Sequence, residues 1–385
     1  MLSYDPEDAC LEQTQLNFYI TLTTECNLQC LYCYGKSCED FGSDFSDLAL
    51  DYSLPSSVAY NTKALLEFLE ADLNSTLIFY GGEPLMRQDN LKEIIDAIPD
   101  GRFVLQTNGI LLDQLDSSYV NRFESIFVSL DGNEALTDHY RGNGTYRKVM
   151  NNLETIRENG YTGEVVARMT VGEATEIDTQ VLELIRNPLI SSVHWQLDAL
   201  FWQNDYPRRH FAEWVRENYN PRLKSLIGKW IDHMRTGEVW TIYPFIGICQ
   251  SLLTGEHSKL RCGAGWCVFN IQTDGHISPC PVMAGMKDYY VGNIMTDTPG
   301  TLKTVSVSEP CISCDILTLC GGRCLYANVT KLWGTAGFEE VCRTVRNLIN
   351  GITDVMPEIK KLLQNQTVSL KDFRGPDYNG CEVIP

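Results

Sequence analysis

No stretch of this 385-residue chain stays apolar for the about 18 residues a membrane span requires. The N-terminal segment, MLSYDPEDACLEQ, is acidic and lacks the apolar core of a secretion signal. These two absences predict a cytoplasmic protein without a membrane partner. Basic side chains are in deficit: 31 Lys and Arg against 50 Asp and Glu leave a formal charge of −19. That balance excludes nonspecific binding to nucleic-acid phosphates. Low-complexity tracts and internal repeats are also missing. With 44% hydrophobic and 21% charged residues, the chain is neither disordered nor collagen-like. Cysteine is absent from residues 39–248, yet 15 occur in all, with four in 26–38 and nine in 249–342. A chain this long builds a core without disulfides, and no export signal is present, so metal ligation is the better reading.

Between residues 16 and 240 short β-rich runs alternate with helical patterns. The runs are Asn17–Thr23, Thr76–Tyr80, Arg102–Gln106, Ser125–Leu130, Glu164–Val171 and Ser192–Leu197. Segments such as VAYNTKALLEFLEADL and YRKVMNNLETIREN carry apolar residues near a 3.6 period. Alternating strands and helices predict βαβ units, hence an α/β fold with a partial (β/α)6 TIM-like barrel. Residues 38–55 read as a loop insertion after the first strand. The predicted organisation is a barrel over 1–240, a connector over 241–261, a small Cys-rich domain over 262–342, and a helix and tail over 343–385. Short hairpin-like runs mark the Cys-rich part, where Asp274-Gly275 is a good turn.

Cys26, Cys30 and Cys33 form CxxxCxxC directly after the first predicted strand, on the active-site face of such barrels. Three thiolates can hold three irons of a cubane and leave the fourth iron open. A structural zinc site with Cys38 as fourth ligand is the alternative. Gly81-Gly82-Glu83-Pro84 follows the second strand, Thr107-Asn108-Gly109 the third, and Ser129-Leu130-Asp131-Gly132 ends the fourth. Arg168 lies within the fifth strand, where a buried charge needs a partner. His194 and Trp195 in the sixth strand either line the barrel or pack in its core.

With these motifs the chain resembles the radical S-adenosylmethionine (SAM) superfamily. The resemblance implies a cluster on Cys26, Cys30 and Cys33 whose open iron binds SAM. Reductive cleavage of SAM then gives a 5′-deoxyadenosyl radical that abstracts a substrate hydrogen. It places Tyr32 beside the adenine and Glu83 on the methionyl ammonium. Gly81 and Gly82 allow close approach to SAM. Asn108, Ser129 and Asp131 line the pocket, and Arg168 meets the carboxylate, with Arg141 a rival for that role.

A second constellation runs Cys262-x12-Gly275-x4-Cys280, then Cys311-x2-Cys314-x5-Cys320-x3-Cys324, then Cys342. It resembles the SPASM pattern of auxiliary iron–sulfur domains, with Cys267 supplying an eighth thiolate. The resemblance implies two further 4Fe–4S clusters, making three in all. One would sit on Cys262, Cys267, Cys280 and Cys324, the other on Cys311, Cys314, Cys320 and Cys342. Cys249 could replace Cys267, or the first auxiliary site could stay open. Cys10, Cys38, Cys249 and Cys381 otherwise read as small buried hydrophobes, with a place in the active site the alternative for Cys381.

Enzymes of this type resemble peptide maturases, which predicts a ribosomally made peptide as substrate and a flavodoxin- or ferredoxin-like reductant. The reaction would be oxidative, or form a thioether or carbon–carbon cross-link. Sulfatase-type serine or cysteine oxidation is the alternative, as is a noncatalytic iron–sulfur carrier. Pro281 stands where sulfatase-maturing relatives carry an Asp that serves as the base, so formylglycine formation is less expected and the catalytic base is unassigned. With 25 residues before Cys26, no leader-binding domain is expected there, and a leader is expected to bind the barrel rim, the acidic surface or a separate partner. The acidic surface is expected to steer a basic peptide segment toward the barrel mouth. Peptide affinity, followed by anaerobic fluorescence anisotropy, should fall as ionic strength rises; an affinity indifferent to salt rejects steering.

Overall fold

Phe18, Ile20 and Leu22 alternate with Tyr19, Thr21 and Thr23 along the first strand, and every residue of Asn17–Thr23 is buried. Burial of both faces marks a parallel strand covered by helices. The computed structural model describes residues 15–36, 48–72, 74–201 and 206–374, with Pro385. Six parallel strands follow one another: Asn17–Thr23 (β1), Thr76–Gly81 (β2), Arg102–Thr107 (β3), Phe123–Ser129 (β4), Glu164–Val171 (β5) and Ser192–Leu197 (β6). Helices including Thr62–Leu69, Gln88–Ala97, Thr145–Glu158 and Ile177–Ile185 make the crossovers. Two helix starts are capped by asparagine: Asn61 accepts from the Ala64 N–H (2.9 Å) and Asn133 from that of Leu136 (3.0 Å).

The strands present two unlike faces. Phe18, Phe79, Phe103, Ile126 and Val193 pack outward against the helices in the main core. Tyr19, Ile78, Val104, Phe127 and Val166 form a separate cluster on the other side. Two residues further along the same strands stand Thr21, Tyr80, Gln106, Ser129 and Arg168, which therefore share that inner face. The interior is apolar at its base and polar toward the C-terminal strand ends. Trp195 belongs to the outer core and donates to the Tyr219 hydroxyl (2.9 Å), whereas His194 is paired in register with Arg168 on the inner side.

Three features depart from the sequence expectations. The connector over 241–261 contains a helix, Tyr243–Thr254, eight of whose residues are buried. Tyr243 closes the barrel base by donating to Glu164 Oε1 (2.6 Å), which Ser192 also bonds (2.7 Å). Buried apolar residues on every side of this segment, not composition, make it structural. Second, the Cys-rich part is continuous with the barrel sheet. Val268–Ile271 (β7) adds parallel to β1, and His276–Ser278 (β8) and Gly292–Asn293 (β9) follow antiparallel. The β7–β8 turn carries Gly275 at φ +92°, a left-handed conformation glycine adopts without strain. Third, the C-terminal helix runs from Gly334 to Gln364, so the boundary expected between 342 and 343 falls inside it. The insertion after β1 docks back on the Cys-rich part, with the Asp51 N–H donating to Gly285 O (2.7 Å) and the Lys287 N–H to Ala49 O (2.9 Å). Cys10, Cys38 and Cys381 lie outside the described residues. Among the described residues no helix is long and apolar enough to cross a membrane.

Trp230 anchors the helices behind β6. It is fully buried, donates to Trp240 O (2.9 Å) and meets Phe245 edge-on with ring centroids 5.3 Å apart. Trp230→Ala should destabilise the protein by about 3–5 kcal/mol in a denaturant titration. A loss below about 1 kcal/mol would show that this region does not contribute to the cooperative core.

Candidate active site

The loop after β1 carries Cys26, Cys30 and Cys33 at the C-terminal mouth of the barrel. Burial pushes the Cys26 and Cys30 thiols up; Cys33 adds to the push on both, and Cys26 to that on Cys30. The Leu28 N–H (3.4 Å) and Asn108 Nδ2 (3.7 Å) both point at Cys26 Sγ, donors suited to a thiolate. Arg141 works against burial at Cys30 by favouring its charged form.

Two buried carboxylates hold this loop. Glu83 is fully enclosed and accepts from Thr107 Oγ1 (2.7 Å), the Asn108 N–H (2.7 Å) and the Leu85 N–H (3.0 Å). Burial pushes its carboxyl up to about 7, against the opposing pull of those donors. Asp131, also fully enclosed, accepts from Arg141 Nε (2.8 Å) and Nη2 (2.9 Å), the Tyr32 hydroxyl (2.6 Å) and the Thr170 N–H (2.9 Å). The Arg141 guanidinium lies 5.4 Å from the Tyr32 ring centroid, so Tyr32 is fixed at its face and its hydroxyl.

These contacts revise several expected roles. Tyr32, Glu83, Asn108 and Asp131 direct their polar atoms to protein partners. The glycines accommodate the cluster loop itself: a Cβ on Gly81 would lie 2.2 Å from Thr23 O, and one on Gly82 2.3 Å from Glu25 O. Asn108 donates to Asn27 Oδ1 (2.7 Å) and so steadies the same loop. Ser129 and Arg168 are half-buried register partners on the inner face, with the Arg168 guanidinium 6.0 Å from the Phe127 ring centroid. Arg141 gives Nε and Nη2 to Asp131.

The remaining thiols fall into groups by the charges they sense. Cys262, Cys280 and Cys324 form one; burial pushes Cys262 up to about 11, with Cys324 adding to the push. Cys311, Cys314, Cys320 and Cys342 form another, with Cys311 also pushed by burial up to about 11. Asn328 Nδ2 points at Cys311 Sγ (3.4 Å) and Arg346 Nη2 at Cys314 Sγ (3.4 Å). Cys267 packs with Tyr19, Ile78 and Tyr243, while Cys262, Cys280 and Cys324 pack against Leu260, Met283 and Tyr326. Cys249 is enclosed in the main core. Among the described residues no three His, Cys, Asp or Glu side chains gather tightly enough for a single metal ion. Sets of three and four soft donors, with N–H groups already aimed at sulfur, fit an iron–sulfur cluster by their chemistry.

Tyr80 connects two of the groups. Its hydroxyl bonds that of Tyr34, and Cys33, Cys280 and Arg168 all act on its charge. The Tyr34 ring stacks on Phe201 (5.7 Å), which stacks on Tyr326 (6.1 Å), two residues beyond Cys324. Neither tyrosine was singled out from the sequence. Tyr80 carried one available signal, its inward place one residue before Gly81.

A parallel partial barrel with a trio of thiols at its mouth and further cysteine sets beside it defines an α/β iron–sulfur enzyme. Residues 20–185 match the radical SAM superfamily. That stretch is a radical SAM domain, and the protein is a radical SAM enzyme. The chain is 23% identical over 335 residues to a cysteine-type anaerobic sulfatase-maturating enzyme of Clostridium novyi, covering 78% of this chain and 85% of that one. Its fold is similar to native anSMEcpe with bound AdoMet and Cp18Cys peptide, with TM-score 0.69 and 18% identity over 91% of this chain and 99% of that one. It is also similar to Streptococcus suis SuiB bound to precursor peptide SuiA, with TM-score 0.51 and 16% identity over 81% and 72%.

The Asp131–Arg141 pair yields a quantitative expectation. Arg141→Met leaves a buried carboxylate without its cation and should cost about 3–5 kcal/mol. Adding Asp131→Leu should recover part of that loss. Denaturant unfolding of the two singles and the double forms the cycle; strict additivity would show that the pair is not coupled.

Proposed function

We propose that this radical SAM enzyme is a peptide or protein maturase with three 4Fe–4S clusters. Cys26, Cys30 and Cys33 would hold the catalytic cluster. When bound, that cluster with SAM supplies the 5′-deoxyadenosyl radical. Ser129 and Arg168 would bind the SAM carboxylate from the inner face. Glu83 and Asp131 hold the loops around it. Cys262, Cys280 and Cys324, with Cys267 as fourth ligand, would hold the first auxiliary cluster. Cys311, Cys314, Cys320 and Cys342 would hold the second.

The observation that carries this reading is the position of Tyr80, whose hydroxyl is acted on by both Cys33 and Cys280. Tyr80 thus lies within electrostatic reach of one thiol from each of the two sets, which supports a reading in which they face a common substrate. A peptide side chain bound there would meet the source of the radical and an acceptor for its electron together. A noncatalytic carrier has no use for that arrangement.

For the bond made, oxidation or a thioether or carbon–carbon cross-link is one reading. Sulfatase-type oxidation of cysteine or serine is the second, supported by similarity over most of the chain to sulfatase-maturating enzymes. Pro281, which opens a short 3-10 turn, provides no carboxylate at that position, so a base would come from elsewhere. Anaerobic incubation with SAM, dithionite and basic peptides containing Cys or Ser separates the readings. An aldehyde trapped by hydrazide supports sulfatase-type oxidation; a cross-linked fragment in mass spectrometry supports the first. Formation of neither, with SAM still cleaved, rejects peptide maturation of these residues.

Reconstituted protein should hold about twelve irons, and Cys26, Cys30 and Cys33→Ala together about eight, with 5′-deoxyadenosine production abolished. Iron near four with stoichiometric zinc rejects the auxiliary clusters; 5′-deoxyadenosine from the triple variant rejects the catalytic assignment.

A further inference from the structure

Arg323 sits between Cys320 and Cys324 in the run Cys-Gly-Gly-Arg-Cys. Gly321, Gly322 and Arg323 take φ values of +70°, +93° and +52°, three consecutive residues in the left-handed region. Glycine accepts that conformation freely, but arginine does not, so the loop holds Arg323 against its own preference. Both glycines are also sterically required: a Cβ on Gly321 would lie 2.8 Å from the Leu260 nitrogen, and one on Gly322 2.8 Å from Val307 Cγ1. The turn carries the Arg323 side chain inward until only 8% of the residue is exposed.

There the guanidinium has Nε and Nη2 buried without a hydrogen-bond partner among the described residues. A buried cation with unmet N–H donors is costly unless an anion faces it. The Arg323 N–H bonds Cys320 O (3.4 Å), which anchors the residue at a cysteine of the second set. Its charge also opposes the burial that pushes Cys320, Cys342 and Tyr219 up. The neighbouring cation, Arg346, differs: it is part-exposed, paired with Asp315 and already directed at Cys314 Sγ. Asn328 serves Cys311. Of these three residues at the second set, Arg323 alone has buried N–H groups without a hydrogen-bond partner among the described residues.

We propose that Arg323 is the buried charged partner of the second auxiliary cluster and raises its reduction potential. The inference rests on the three-cluster reading above. Four thiolates around a 2+ cubane leave a charge of about −2, and an added electron makes it about −3. A fixed cation in a water-poor site stabilises the more negative state more strongly. Arg323 therefore favours an electron resting on this cluster. It is a potential-setting residue that touches no substrate.

The test is an EPR-monitored redox titration of the reconstituted full chain, Arg323→Met and Arg323→Lys, with Cys314→Ala identifying the signal of the second set. At the wild-type midpoint, Arg323→Met should lower the reduced-to-oxidised ratio of that cluster about tenfold, equivalent to about 59 mV for one electron. Arg323→Lys keeps the charge and should restore most of the ratio, and the other two clusters should not move. An unchanged midpoint in Arg323→Met at full iron overturns the proposal. Equal loss of about four irons from both variants also overturns it, because Arg323 would then serve folding and not charge. Loss from Arg323→Met alone, with Arg323→Lys loaded at the wild-type midpoint, supports it. Wild-type iron near four instead of about twelve would reject the three-cluster reading itself, a result distinct from any failure of Arg323.

Discussion

The buried Asp131 carboxylate is the constraint on which the barrel mouth depends. Its four donors come from three separate parts of the chain: Tyr32 on the cluster loop, Thr170 on β5 and Arg141 at the end of helix Glu134–Arg141. A fully enclosed carboxylate is tolerable only with such complete pairing, since each lost partner exposes a buried charge to an apolar surrounding. Because Tyr32 lies between Cys30 and Cys33, that demand for pairing fixes the cysteine loop against the barrel. The rigidity needed to place three thiols is thus a consequence of desolvation.

Glu83 applies the same principle on the other side of the loop. Its three donors join the β2 and β3 ends, while the Gly82 and Glu83 N–H groups bond Thr23 O (2.8 Å) and Glu25 O (2.9 Å). Glycine is needed at 81 and 82 because two backbones meet there without room for a Cβ. Ser129 and Arg168 stand on the inner face above the apolar base. The aromatic stack of Tyr34, Phe201 and Tyr326 runs from the residue after Cys33 to the helix that follows Cys324. Carboxylates hold the loops at the barrel mouth, and aromatic rings pack beside the cysteines.

The Cys-rich part is bound to the barrel more closely than a separate domain would be. β7 extends the sheet beside β1, and residues 49–51 pair with the segment around Met286. Helix Gly334–Gln364 carries Cys342 and packs through Leu348, Ile349 and Ile352 into the same core that covers the strands. The second thiol set is therefore held by the structure that stabilises the barrel, and its spacing cannot drift independently of it.

The sequence by itself determined the strand–helix alternation, the six barrel strands to within two residues, and the two cysteine constellations. Those properties are local: periodicity and short spacings are written directly in neighbouring residues. The β7–β8 hairpin was legible for the same reason, since Asp274-Gly275 specifies its turn. Only the tertiary structure decided that Glu83, Asn108 and Asp131 face protein partners and that Arg141 pairs with Asp131. It also made a buried helix of Tyr243–Thr254 and brought Tyr80 within electrostatic reach of Cys33 and Cys280. Each depends on which groups meet after folding, across separations of up to 249 residues in the case of Thr21 and Asn270. Desolvation acts on those meetings: a polar group's role is set by what surrounds it, and no local pattern records its surroundings.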